Sequence, residues 1–173
     1  MSIKKPAGNP LKGIATIGIV DPDNTRMGPV AQVIMNRLAV ESKNATVRSM
    51  KFYTAGYNRT SHNVADSAKG YLQMNGFQAT AFMQPERVDK DWLITKDLII
   101  CTDRFIKRDL LHDFFPASYN DWKDKMVVFT DLVGSKEVLR DPGDDPTAPT
   151  KPVYDLIKQC CELLIKRLEK ENP

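Results

Sequence analysis

The sequence predicts a three-layer α/β/α fold around a four-stranded parallel sheet, on three observations. Four short apolar segments, starting at Ile14, Val47, Asp97 and Met126, have the length and residue types of strands. Each is followed by a stretch with helical spacing or helix-boundary signals, so strand and helix alternate four times. Most connections are short, which favours crossover connections and parallel pairing with helices on both faces of the sheet.

Residues 14–20, Ile-Ala-Thr-Ile-Gly-Ile-Val, read as a strand covered on both faces. The run stops at Asp21-Pro22-Asp23-Asn24-Thr25-Arg26-Met27-Gly28, a polar loop, and Pro29 suits the first turn of a helix. Val30, Ile34 and Leu38 then recur on one helical face as far as Glu41. A second strand is expected over Val47–Tyr53 and ends at Thr54-Ala55-Gly56, with a polar loop over 57–64. Val64 to Asn75 reads as a helix closed by Gly76. An irregular segment around Pro85 leads to a third strand, Asp97–Thr102. Phe105 to Phe114 is a short helix bounded by Pro116, and Met126–Thr130 is the fourth strand. Residues 131–151, with Gly134, Pro142, Gly143, Pro146 and Pro149, form a long loop. A last helix carries Val153, Leu156, Ile157, Cys160, Leu164 and Leu168, with Pro152 in its first turn.

The 173 residues fit one domain, expected over 14–173 behind a flexible segment 1–13. The net charge of +3 is spread among mixed acids and bases rather than gathered in a stripe, which argues against nucleic-acid binding. No run reaches the roughly 18 apolar residues of a membrane span, and residues 1–13 lack the apolar core of a secretory signal. Cys101, Cys160 and Cys161 are odd in number and lie in apolar elements, which fits neither a disulfide framework nor a zinc site. A cytoplasmic location is therefore expected.

In an open parallel sheet, function is expected at the carboxyl ends of the strands. Here those ends are the 21–29 loop, the segment after Thr54, the turn at Asp103 and the 131–151 loop. Four features at these ends, Ile19-Val20 running into Gly28-Pro29-Val30-Ala31-Gln32, Thr54-Ala55-Gly56, Asp97–Asp103, and Arg140-Asp141-Pro142 ahead of the last helix, give the chain its likeness to a known family. In this order the sequence resembles the low-molecular-weight protein tyrosine phosphatases, which include thioredoxin-dependent arsenate reductases. The resemblance implies their fold, an anion-binding loop at 21–29 and a general-acid role for Asp141. It also implies a cysteine at the start of the loop, and none is there. Counting back from Pro29 without a gap puts that position at Asp21 and the phosphate-clamping arginine at Met27. Counting from Arg26 puts it at Val20.

Phosphocysteine chemistry needs a low-pKa thiolate at a helix N-terminus, with backbone N–H groups and an arginine on the phosphoryl oxygens. Neither valine nor aspartate supplies the thiolate. Cys101 reads as a buried small hydrophobe inside its strand. Arsenate reduction ranks last among the functions on the same ground, because it needs a nucleophilic cysteine with resolving cysteines near the loop, and Cys160 and Cys161 lie far along the last helix.

What remains is a candidate site made of Asp21, Asp23 and Asp141, with Asn24, Thr25, Arg26 and Gly28 as anion-binding groups and Thr54, His62 and Asp103 at the rim. Each has a plain structural alternative. Asp21-Pro22-Asp23-Asn24-Thr25 is good turn chemistry, and Asp-Pro at 141–142 is a turn in its own right. Tyr57 and Tyr119 read equally as rim or partial core. Neither His62 nor His112 has the companions of a metal site. The Gly143-Asp144-Asp145 run reads as an exposed turn.

Three functions compete. The preferred one is a non-catalytic phosphatase-fold protein that acts as a binding or regulatory module, retaining a vestigial pocket for a phosphate-like anion and needing no cofactor. The second is an Mg²⁺-dependent phosphomonoester hydrolase. There Asp21 is the nucleophile and Asp23 the acid/base, as in the Asp-x-Asp-x-Thr motif of haloacid-dehalogenase phosphatases, with Phe129-Thr130, Lys136 and Gly143-Asp144-Asp145 as its further motifs. The third is a homo-oligomeric assembly protein or one with a protein partner.

Overall fold

The computed structural model describes residues 9–58, 61–77, 84–143, 145 and 147–173. Its order is β1 (Thr16–Asp21), α1 (Met27–Glu41), α2 (Ala45–Ser49), β2 (Lys51–Gly56), α3 (Asp66–Met74) and α4 (Lys90–Ile94). There follow β3 (Leu98–Cys101), α5 (Arg104–Phe114), a 3₁₀ turn at Pro116–Ser118, α6 (Tyr119–Trp122), β4 (Met126–Val128), α7 (Phe129–Leu132) and α8 (Lys151–Glu171). The four strands form one sheet in the order β2-β1-β3-β4, and every pairing is parallel.

The β1 residues alternate between two apolar layers because successive side chains of a strand point to opposite faces. Ile17 and Ile19 pack with α1, α3 and α8, where Val30, Ile34, Leu72, Tyr154, Ile157 and Leu164 are buried. Val20, with Ala55, Ile99 and Cys101, packs on the other face with Leu93 of α4, Ile106 and Leu110 of α5, and Trp122. The result is the three-layer α/β/α fold expected from the alternation of elements. No helix among the described residues is long and apolar enough to cross a membrane.

Several boundaries differ from the sequence reading. The second strand occupies Lys51–Gly56, not Val47–Tyr53, because Asn44 caps a helical turn first, its Oδ1 accepting from the Val47 N–H at 3.0 Å. The fourth strand ends at Val128, and Phe129 and Thr130 begin a helical turn. The segment around Pro85 leads into α4, capped by Asp89 through the Trp92 N–H at 2.7 Å. Packed structure also reaches upstream of residue 14. Leu11 is fully buried, and Asn172 at the end of α8 accepts from the Gly13 N–H and donates to the Leu11 carbonyl.

Candidate functional site

β1 ends at Asp21 in the centre of the sheet, and its apolar run gives way there to residues that turn the chain into α1. A helix start leaves its first N–H groups without helical partners. The residue before α1 is Arg26, whose side chain makes no capping hydrogen bond, so the service comes from upstream. Asp21 Oδ2 accepts from the Gly28 N–H at 2.7 Å, and Asp21 Oδ1 accepts from the Asn24 N–H at 2.5 Å. The Asp21 side chain is wholly buried. Of the two residues that could match the missing cysteine, Asp21 is therefore the one facing the helix mouth, while Val20 belongs to the apolar layer under α5.

Asp23 Oδ1 accepts from both the N–H and the hydroxyl of Thr25, at 3.1 and 2.7 Å. Its other oxygen accepts from Arg26 Nη2 at 2.8 Å. Arg26 also grips Asp141 with two donors, Nε to Oδ1 at 2.6 Å and Nη2 to Oδ2 at 3.1 Å. Arg26 and Asp23 are both buried, so these ion pairs are shielded from water. Asp141 thus ties the long loop before α8 to the mouth of α1.

The turn itself depends on Asn24, which takes a left-handed backbone conformation with φ of 58°. Asn tolerates this region better than most residues. Its side chain is fixed to β2 by Thr54, whose hydroxyl donates to Asn24 Oδ1 at 2.8 Å and whose carbonyl accepts from Asn24 Nδ2 at 3.3 Å. Gly56 lets the loop lie on the end of β2, since a Cβ there would fall 2.5 Å from the Asp23 carbonyl carbon and 2.7 Å from the Asn24 nitrogen. The Tyr57 and Asn58 N–H groups complete the fit by donating to the carbonyls of Asp21 and Pro22.

Burial is the main reason that the Asp21 carboxyl is pushed up to about 7 from an ordinary 3.8, and the nearby charges of Asp23 and Asp141 push in the same direction. The N–H groups of Gly28 and Asn24 act against this by stabilising the charged form.

Not all the sequence candidates meet here. Asp21, Asp23, Asn24, Thr25, Arg26, Gly28, Thr54 and Asp141 converge on the mouth of α1. Asp103 does not, because its carboxylate caps α5 through the Phe105 and Ile106 N–H groups at 2.7 and 2.9 Å. His62 is exposed in the loop before α3. Tyr57 donates from its hydroxyl to Asp113, whose other oxygen meets His112, so these two residues form a separate surface chain at the end of α5. Tyr119 is half exposed. Asp144 lies outside the described residues. No cluster of three or more His, Cys, Asp or Glu side chains suited to a metal ion occurs among the described residues. The positive charge that a metal reading assigned to Mg²⁺ is supplied in place by Arg26.

No spacing signal announces the Arg26–Asp141 pair, whose partners are 115 residues apart. The sequence reading also missed Tyr154, a fully buried residue of α8 whose hydroxyl lies 2.8 Å from Ser67 Oγ and whose ring packs against Tyr71. Tyr154 sits near enough to feel the charges of Arg26, Asp141 and Asp21.

No family model matches the sequence, and no curated protein matches it either. Solved structures do. YfkJ from Bacillus subtilis superposes with a TM-score of 0.78 at 20% identity, over 92% of this chain and 97% of that one. The YwlE arginine phosphatase from Geobacillus stearothermophilus gives 0.74 at 18%, over 91% and 94%. The low-molecular-weight protein tyrosine phosphatase from T. tengcongensis gives 0.74 at 19%, over 88% and 99%.

The chain has the low-molecular-weight phosphatase fold. Within this fold its first loop holds no cysteine, and the three cysteines of the chain are buried elsewhere. Cys101 is sealed in β3, where burial pushes its thiol far above the ordinary range. Cys160 and Cys161 are buried in α8, and burial pushes Cys160 up to about 11. A thiol held protonated away from the loop cannot attack phosphorus. The protein is not a cysteine-dependent phosphatase.

Proposed function

We propose that this protein is a non-catalytic phosphatase-fold module whose anion cradle is filled from within, and that it acts by binding or regulation rather than by turnover. The observation that carries this reading is the Asp21 carboxylate on the Asn24 and Gly28 N–H groups. A helix N-terminus with converging N–H groups is a ready anion site, and here the chain's own carboxylate occupies it. Arg26 is likewise engaged by Asp23 and Asp141, so an incoming phosphate group would have to displace two carboxylates to reach it. A phosphate dianion beside Asp23 and Asp141 would also be repelled by like charge.

The same arrangement speaks against Asp21 as a nucleophile. Both of its oxygens are in hydrogen bonds within the loop, and the residue has no exposed surface from which to approach a substrate. The closed loop retains the architecture of a phosphate cradle in vestigial form.

Hydrolysis of an aryl phosphate and of phosphoarginine by the purified protein, with Mg²⁺ and with EDTA, tests the reading. No turnover is expected in any condition. Mg²⁺-dependent turnover lost in Asp21→Asn would overturn it in favour of an aspartate-based hydrolase. A companion measurement is thermal stability against added phosphate. The wild type is expected to show no stabilisation, whereas Asp21→Ala, which vacates two N–H groups at the α1 mouth, is expected to gain it by mass action.

A further inference from the structure

Between α7 and α8 the chain runs from Ser135 to Pro142 without helix or strand. A glycine in the left-handed region stands at each end of this stretch, Gly134 with φ of 74° and Gly143 with φ of 69°. We propose that residues 135–142 form a strap that opens as one unit about these two glycines, and that Asp141 on Arg26 is the latch that sets access to the mouth of α1. The proposal rests on the reading of that mouth as closed from within, and adds what governs its opening.

The first ground is how little holds the strap. Among the described residues, no backbone–backbone hydrogen bond involves residues 136–142, whereas the turn just before them is fixed by the Gly134 and Ser135 N–H groups on the carbonyls of Asp131 and Thr130. Lys136, Glu137, Val138 and Arg140 are exposed. Segments with few buried contacts and few backbone hydrogen bonds open at low cost.

The second ground is where the strap is fastened. Leu139, 2% exposed, is set into the apolar layer that holds Ile17 and Tyr154. Asp141 accepts from Arg26 Nε at 2.6 Å and Nη2 at 3.1 Å, and also from the Gly143 N–H at 3.0 Å, so the latch and one hinge are joined. The Asp141 side chain is 16% exposed against 8% for Asp23, which makes Asp141 the outer of the two carboxylates on the guanidinium. The inner pair, Arg26 with Asp23, spans three residues of chain and does not depend on the strap.

The third ground is the freedom of the hinges. A Cβ at Gly134 or Gly143 would meet nothing within 4 Å, so neither glycine serves to let another part of the chain come close. What each supplies is a backbone conformation that other residues rarely adopt, and the ability to leave it for another. Lifting the strap uncovers the side of the Arg26 guanidinium that Asp141 occupies.

Two readouts on the full-length protein test the proposal. The first is trypsin cleavage after Lys136, which tracks the open population when opening is fast. Its rate is expected to depend little on urea below the unfolding transition, because a small unit exposes little surface. Asp141→Asn, which leaves Lys136 and Glu137 at the cleavage site unchanged, should raise the rate about tenfold, the worth of one hydrogen bond to a charged group. The second is modification of Arg26 by the arginine reagent phenylglyoxal, read by peptide mass, which should rise by a similar factor in the same variant. Leu139→Ala removes the other fastening with Asp141 untouched and should raise both readouts as well. Cleavage that follows the global unfolding curve in urea would overturn the proposal, since the strap would then open only with the whole fold. So would wild-type rates in Asp141→Asn, or faster cleavage with unchanged Arg26 reactivity, which would separate the strap from access to the mouth. The two failures are distinguishable: turnover in the hydrolysis assay strikes the reading of the site as non-catalytic, whereas these readouts concern the strap alone.

Discussion

The ends of β1 and β3 lie next to each other in one sheet yet are finished in opposite ways. At β1 every polar group described above has a partner inside the chain: Asp21 on two N–H groups, Asp23 on Thr25 and Arg26, Asn24 on Thr54, and Asp141 on Arg26. At β3 the buried Thr102 hydroxyl has no partner among the described residues, and Phe105 and Val138 stand exposed nearby. The first strand end spends its polarity on holding itself together. The second leaves one buried hydroxyl and some apolar surface outside any such network.

Removing the cation should break the closed end most severely. Arg26→Met keeps the length of the side chain but takes the positive charge from between Asp23 and Asp141. Leaving buried carboxylates uncompensated costs about 3–5 kcal/mol, which denaturant unfolding would read as a large fall in midpoint. A loss below 1 kcal/mol would show that the ion pairs contribute little and that backbone contacts alone close the loop.

Asp21 gives the closed end a pH signature of intermediate size. In the unfolded chain its carboxyl titrates near 3.8, and in the folded chain near 7. Between those values the folded state keeps a proton that the unfolded state has released, so the contribution of Asp21 to stability is complete below about pH 4 and is lost as pH rises through 7. Asp21→Asn removes this component. The pH dependence of stability between 4 and 7 should change by up to about 1.4 kcal/mol per pH unit in the variant. Parallel curves for the two proteins would mean that the N–H groups of Gly28 and Asn24 hold Asp21 ionised throughout.

Much of the closed end was legible in the sequence. The β-branched run to Val20 and its abrupt stop placed Asp21 at the end of a central strand, and Pro29 marked the start of α1. Asn24 is the type of residue that enters the left-handed region, although only the structure shows Thr54 holding it there. The misplaced second strand has a clear cause. Val47, Phe52 and Tyr53 all favour strands, but the Asn44 cap converts the first of them to helix, and local capping outweighed propensity. Phe129 and Thr130 repeat the lesson at β4. The five residues of α4 are too few to show a period. Asp103 lies at the end of β3 as the sequence order places it, but its carboxylate caps α5, and order along the chain does not say which N–H groups a carboxylate serves. The Arg26–Asp141 pair is a property of three-dimensional packing, to which no spacing rule gives access.

The smallest prediction separates the two ends most cleanly, because it makes the same substitution at both. Thr54→Val and Thr102→Val each replace a buried hydroxyl by a methyl of similar shape. At Thr54 the change strands Asn24 Oδ1 inside the closed loop, and an unsatisfied buried acceptor costs about 1–2 kcal/mol. At Thr102 no hydrogen bond among the described residues is lost, and the desolvation cost of an unpaired hydroxyl is removed, so stability should hold or rise by about 1 kcal/mol. Opposite signs from one chemical change would mean that the hydroxyl at β1 serves the fold while the hydroxyl at β3 contributes nothing to it. Equal losses at both sites would show that Thr102 has a structural partner of its own and would remove the main distinction between the two strand ends.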